Sequence, residues 1–75
     1  MEWIKKILGY DYLLNTNTGE VHYLPKANKR CAIGGIKEEN KLLISKARFR
    51  KLRGTWHNGH FINGCKWCLR KHDLG

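Results

Sequence analysis

The tetrapeptide Cys65-Lys66-Trp67-Cys68 carries the most chemistry in this chain. Two residues between two cysteines let a tight turn bring both sulfurs to one side, at the separation that a tetrahedral zinc ion requires. The same spacing serves thiol–disulfide exchange where a thioredoxin-like βαβ unit presents it, and a chain of 75 residues leaves little room for one. Cys31 offers a third thiolate, and a fourth ligand would come from His22, His57, His60 or His72. Eight residues separate His22 from Cys31, and His22 lies on what should be the exposed side of a strand end. His72 follows Cys68 in a C-x-x-C-x-x-x-H arrangement. His22 is the preferred fourth ligand and His72 the alternative.

Taken singly, these residues have ordinary explanations. A lone cysteine is usually a small buried hydrophobe, and a lone histidine usually lies at the surface. Together, 3 cysteines and 4 histidines in so short a chain point to Zn2+ as a structural cofactor. A domain of this size buries only about 60% of the surface its unfolded chain exposes, so its core is marginal and needs a supplement. A Cys₃His set is closed, with no open position for an activated water, and is therefore structural rather than catalytic. No carboxylate pair, nucleophile–base couple or phosphate loop is recognisable, so no turnover is expected.

Composition sets the wider frame. With 41% hydrophobic and 28% charged residues, the chain is expected to fold as one small domain spanning residues 1–75, its zinc site within about residues 20–72. Large clefts for a small-molecule substrate are not expected. No stretch approaches the roughly 18 apolar residues of a membrane span, and residues 1–8 lack the apolar region and cleavage site of a signal peptide. A cytoplasmic location follows as the expectation. There the cysteines stay reduced, and an odd number of them suits metal better than disulfides.

The net charge of +9 is unevenly spread: residues 1–25 sum to −1 and residues 26–75 to +10. An anionic partner is implied, with nucleic acid, DNA or RNA, the commonest one. Lys46, Arg48, Arg50, Lys51 and Arg53 form the densest basic run, which Lys66, Arg70 and Lys71 could extend. Trp56, Phe61 and Trp67 could stack on bases, although aromatics in so small a domain are more often core. The competing class is an interaction module whose basic face docks on an acidic protein.

The elements that must position these groups can be read from periodicity. Trp3, Ile4, Ile7 and Leu8 share a helix face that Gly9 ends, predicting a short helix over residues 2–8. Tyr10, Tyr12 and Leu14 alternate, residues 15–19 are turn formers, and Val21 and Tyr23 resume the alternation, which predicts a β-hairpin. His22 then projects from the face opposite Val21 and Tyr23. Gly34-Gly35 limits any helix there to about one turn. Ser45 is a good N-cap and Gly54 a good stop, so a strand over 42–44 and a helix over 46–53 are preferred to a single helix over 37–53. Residues 55–64 read as a loop or hairpin that delivers Cys65. The predicted fold class is α+β: a small zinc-stabilised domain with a β-hairpin, short helices and a C-terminal Cys-x-x-Cys knuckle leading into a final helical turn.

The order Val21-His22, Cys31, Ile36, Glu39-Asn40, Ala47, Gly54 and the closing Cys-x-x-Cys resembles the metal-binding domain of the Ada methylphosphotriester-repair protein and its short relatives. The resemblance covers residues 20–70. It implies a compact zinc fold with ligation by His22, Cys31, Cys65 and Cys68. Two features depart from the pattern. The first ligand pair is more widely spaced, and His22 stands where the repair protein has its methyl-accepting cysteine, so methyl transfer is not inherited. His22 to Pro25, Gly34-Gly35 and Glu39-Asn40 also echo the order of HNH nucleases, but Phe49 occupies the place of that family's second metal-binding residue.

Overall fold

The computed structural model describes residues 9–69. The helix expected over 2–8, the final helical turn, His72, Arg70 and Lys71 lie outside the described residues. The expected hairpin is present as β1 (Tyr12–Asn15) and β2 (Glu20–Tyr23), antiparallel, with Tyr12 opposite Tyr23 and Leu14 opposite Val21. Its turn is held by Asn15, whose carbonyl accepts from the amides of Thr18 (3.2 Å) and Gly19 (2.8 Å) and whose Oδ1 accepts from the Asn17 amide (3.0 Å). An asparagine at the head of a turn can satisfy amides in this way before any strand pairing forms.

Pro25 enters a single 3₁₀ turn over Leu24–Lys26, and further single turns follow at Lys29–Cys31, Ile33–Gly35 and Glu38–Asn40. β3 (Lys41–Ile44) then pairs antiparallel with β1. Ser45 Oγ accepts from the Arg48 amide at 3.1 Å and opens α1 (Lys46–Leu52). The segment is thus a strand followed by a capped helix, because the apolar run 42–44 gains a sheet partner in β1 and Ser45 satisfies a first-turn amide. Gly54, at φ +80°, turns the chain away from the helix end.

β4 (Trp56–His57) and β5 (His60–Phe61) form a second hairpin. Asn58 and Gly59 link them, both at positive φ, as a two-residue hairpin turn demands. β6 (Asn63–Gly64) pairs parallel with β2 and completes a sheet of order β3-β1-β2-β6.

One apolar cluster gathers Tyr12, Leu14, Val21, Ile44, Phe49, Ile62 and Leu69, with Leu52 and Tyr23 packed against it. Phe49 is the anchor of α1, its ring stacked on Tyr12 at 5.2 Å between centroids. Leu13 and His22, paired directly across β1 and β2, alternate to the opposite face and are also buried. The expected exposure of His22 is therefore corrected: the side chain is 1% exposed, because the knuckle after β6 packs over it. The aromatic expectation is corrected as well. Trp56 is 72% and Trp67 43% exposed, since Phe49 and the Tyr12–Tyr23 pair already fill the interior. The whole is a small α+β domain, and no helix among the described residues is long and apolar enough to cross a membrane.

Candidate metal centre

Three pieces of chain converge on one point. β2 supplies His22. The 3₁₀ turn Lys29–Cys31 supplies Cys31, its start fixed by Asn28, whose Oδ1 accepts from the Arg30 amide at 2.9 Å and whose carbonyl accepts from the Cys31 amide at 3.0 Å. Ala32 then leaves the turn at φ 54°, a left-handed conformation uncommon for a residue with a side chain. The third piece is β6, where the Cys65 amide donates to the Val21 carbonyl at 2.8 Å and seats the knuckle against β2.

The knuckle is built to carry sulfur charge. The Trp67 amide points at Cys65 Sγ (3.4 Å) and the Tyr23 amide at Cys68 Sγ (3.2 Å), while the Leu69 amide closes the turn onto the Cys65 carbonyl at 2.8 Å. Backbone N–H groups aimed at sulfur favour the thiolate, the form that binds metal. Burial acts the other way: it raises the Cys65 thiol and, with Cys31 and Cys65 nearby, pushes Cys68 up to about 12. Burial also lowers His22 below its usual 6.5, against the opposing pull of Glu20. Burial thus favours the thiol at Cys65 and Cys68 and, at His22, the neutral imidazole that is its ligating form.

The ligand atoms of His22, Cys31, Cys65 and Cys68 all lie within 4.8 Å of one another, and all four residues are buried. Cys31 Sγ and Cys65 Sγ are 3.8 Å apart, as are Cys68 Sγ and His22 Nδ1. A disulfide needs about 2.05 Å between sulfurs, so the three thiols are free. Sulfur and nitrogen at about 2.0–2.3 Å around one tetrahedral ion stand roughly 3.6–3.8 Å from each other. The donor set thus has the spacing, chemistry and burial to hold a metal ion. On its far side, His22 Nε2 is buried without a well-aligned hydrogen bond, and Glu20 Oε1 lies 3.2 Å away. A carboxylate behind a ligating imidazole fixes its tautomer and aims the other nitrogen at the metal.

The chain matches no known family model, and no curated protein or solved structure is significantly similar to it. Its own geometry therefore carries the functional reading.

The remaining candidates divide by location. Lys46, Arg48, Arg50 and Lys51 are exposed on α1, and Arg53 is exposed just beyond it. Lys66 sits instead on the metal face, its Nζ 4.8 Å from the Trp67 ring centre, with Arg30 on the same ring at 4.9 Å. His57 and His60 face each other across β4 and β5, and neither joins the ligand set. Sequence reasoning did not single out Glu20 or Arg30. The signal for Glu20 was its place two residues before His22 on the same strand face; for Arg30 there was none, because its partner is 37 positions away in the knuckle. An open groove of about 880 Å³ also runs beside the site, lined by Asn15, Glu20, His22, Cys31, Lys37 and Lys66 among others, where no sizeable cleft was expected. Its lining joins the first hairpin, the single-turn segments after β2 and the strand that leads into the knuckle.

Proposed function

We propose that this is a small non-catalytic domain that holds one structural Zn2+ through His22, Cys31, Cys65 and Cys68 and binds nucleic acid through the cations of α1. The observation that carries the metal half is the buried four-donor cluster, its ligand atoms all within 4.8 Å of one another. Three thiolates and an imidazole form a soft-to-borderline set that suits zinc, and using all four leaves no position for a reacting water. An HNH-like role finds no support, since His22 Nδ1 faces Cys68 instead of standing free as a base. Free thiols fit a reducing compartment such as the cytoplasm.

The nucleic-acid half rests on α1, a helix pinned by one buried aromatic while four cations stay in solvent. Phosphate contacts of this kind position a domain on a backbone without reading its sequence. A second reading, docking on an acidic protein, is favoured by one observation, the 72% exposure of Trp56 beside Phe61. Metal content and salt dependence test the proposal together. Purified protein should carry about one zinc per chain and unfold with a strong chelator. Its affinity for duplex DNA should fall with salt, and Arg48→Ala and Arg50→Ala should each flatten the log–log slope by about 0.9. A metal-free protein of unchanged fold, or no binding to nucleic acid at low salt, refutes the corresponding half.

A further inference from the structure

Trp67 stands between the two knuckle cysteines with 43% of its surface in solvent. Arg30 and Lys66 lie within 5 Å of its ring centre, at 4.9 and 4.8 Å. Each of these three residues is the chain neighbour of a candidate ligand: Arg30 of Cys31, Lys66 of Cys65, Trp67 of Cys68. A metal at the centre would therefore hold one aromatic face and two cations in a fixed relation, although the segments bearing them are far apart in sequence. The exposed ring is not a leftover of core packing, for the apolar cluster is complete without it.

An aromatic plane flanked by positive charge is complementary to an aromatic ring that carries negative charge beside it, which describes a nucleotide. We propose that this metal face is a stacking site for unpaired bases of single-stranded nucleic acid, with a base on Trp67 and its flanking phosphates on Arg30 and Lys66. In a duplex the base faces are covered by their neighbours, so only an unpaired base can use the indole. The groove continues the path. Lys66 and Lys37 both belong to its wall, and Asn15 and Asn17 add amide groups suited to base edges and sugars. Its volume falls within the range of ordinary ligand pockets. The inference rests on the nucleic-acid reading and deepens it: α1 holds phosphate in any strand, and the metal face selects strands with free bases.

The test uses the full metal-loaded chain with a short oligothymidylate and a duplex of the same length. Trp67→Ala should weaken single-strand binding by about 5- to 150-fold, the range for loss of one base–aromatic stack, and leave duplex binding unchanged. Trp67→Phe should retain most of the affinity, and Arg30→Ala should flatten the single-strand salt slope by about 0.7. Metal content of every variant is measured alongside. Should Trp67→Ala lose metal, the wild type still decides: oligothymidylate should quench tryptophan fluorescence, and Trp67→Phe should abolish that quenching. Equal losses for single strand and duplex, or quenching that persists in Trp67→Phe, overturn the inference. If Trp67 variants bind single strands normally while Arg48→Ala and Arg50→Ala do not, this inference fails and the function proposed for α1 stands. If neither nucleic acid binds and polyglutamate does, both fall in favour of an acidic protein partner.

Discussion

Gly19 offers the sharpest test of how the sheet sets the metal site. It sits at φ +85°, its amide tied to Asn15 and its carbonyl accepting from the Asn63 amide at 3.0 Å, which is the bond that starts the β2–β6 pairing. Alanine there meets two penalties. The left-handed backbone costs a residue with a side chain about 1–2 kcal/mol. The added methyl would also press into the Phe61 carbonyl, 2.9 Å from its carbon and 3.3 Å from His60 Cβ, where ordinary contact begins at 3.4 Å. Relieving these contacts must shift the β5 backbone, and overpacking of that kind costs about 1–3 kcal/mol. The sum is about 2–5 kcal/mol, or a fall in Tm on the order of 10–40 °C for a domain of this size. Gly59→Ala is the control, because Gly59 has nearly the same φ, +82°, and nothing within 4 Å of the added methyl. It should show the backbone cost alone, about 1–2 kcal/mol. Thermal unfolding by circular dichroism reads both variants, and a competition titration with a chromophoric chelator should show weaker metal binding only for Gly19→Ala, since Asn63 and hence Cys65 are displaced. Equal Tm shifts in the two variants would refute the reasoning.

Three further outcomes are expected. Glu20→Gln should weaken metal binding by about 10- to 100-fold while leaving the stoichiometry intact, as read by the same titration, because only the support behind His22 is altered. Phe49→Ala should cost about 3–5 kcal/mol by emptying the anchor of α1, and denaturant unfolding should show it even with metal bound. Stability against pH should differ between metal-free and loaded protein. His22 is lowered from 6.5 in the fold, so its contribution is present above about 6.5 and lost as pH falls through the depressed value. Cys68 is raised from 9.0 to about 12, so its contribution is present below 9.0 and lost as pH rises towards 12. Metal-free protein should be most stable between those limits. Loaded protein should lose only the acid side, because its thiolates are already deprotonated; an alkaline loss of equal size in both forms would contradict the ligand assignment.

The parts of this molecule that were legible in the sequence are those governed by local rules. Alternation placed His22 on the face opposite Val21, Ser45 marked the start of α1, and Gly34-Gly35 kept its segment to one turn. The Cys-x-x-Cys spacing announced the knuckle because its geometry is nearly complete within four residues. What was not legible depends on partners distant in the chain. A two-residue strand such as β6 has no periodicity to detect and exists only through its bonds to β2. Burial of His22 and exposure of Trp67 were misjudged for the same reason: both are decided by where β6 delivers the knuckle. The exposed face of α1 was visible in its charges, whereas the pairing of Arg30 with Trp67 was visible in nothing local.

The ligands' order along the chain has a consequence for how the protein is made. Cys31 and Cys65 are 34 positions apart, an interval that a ribosome covers in roughly 2–7 s at about 5–20 residues per second. The first hairpin is already made and β3 and α1 follow during that time, but β2 still has a bare edge and the nascent chain owns only half of its donor set. The second half arrives as a pair, already spaced to grip an ion, together with the strand that covers the edge. If the site takes up its ion as proposed, capture of the metal and closure of the sheet would fall together late in synthesis, and a chain without the ion would keep the β2 edge open to pairing with a neighbour.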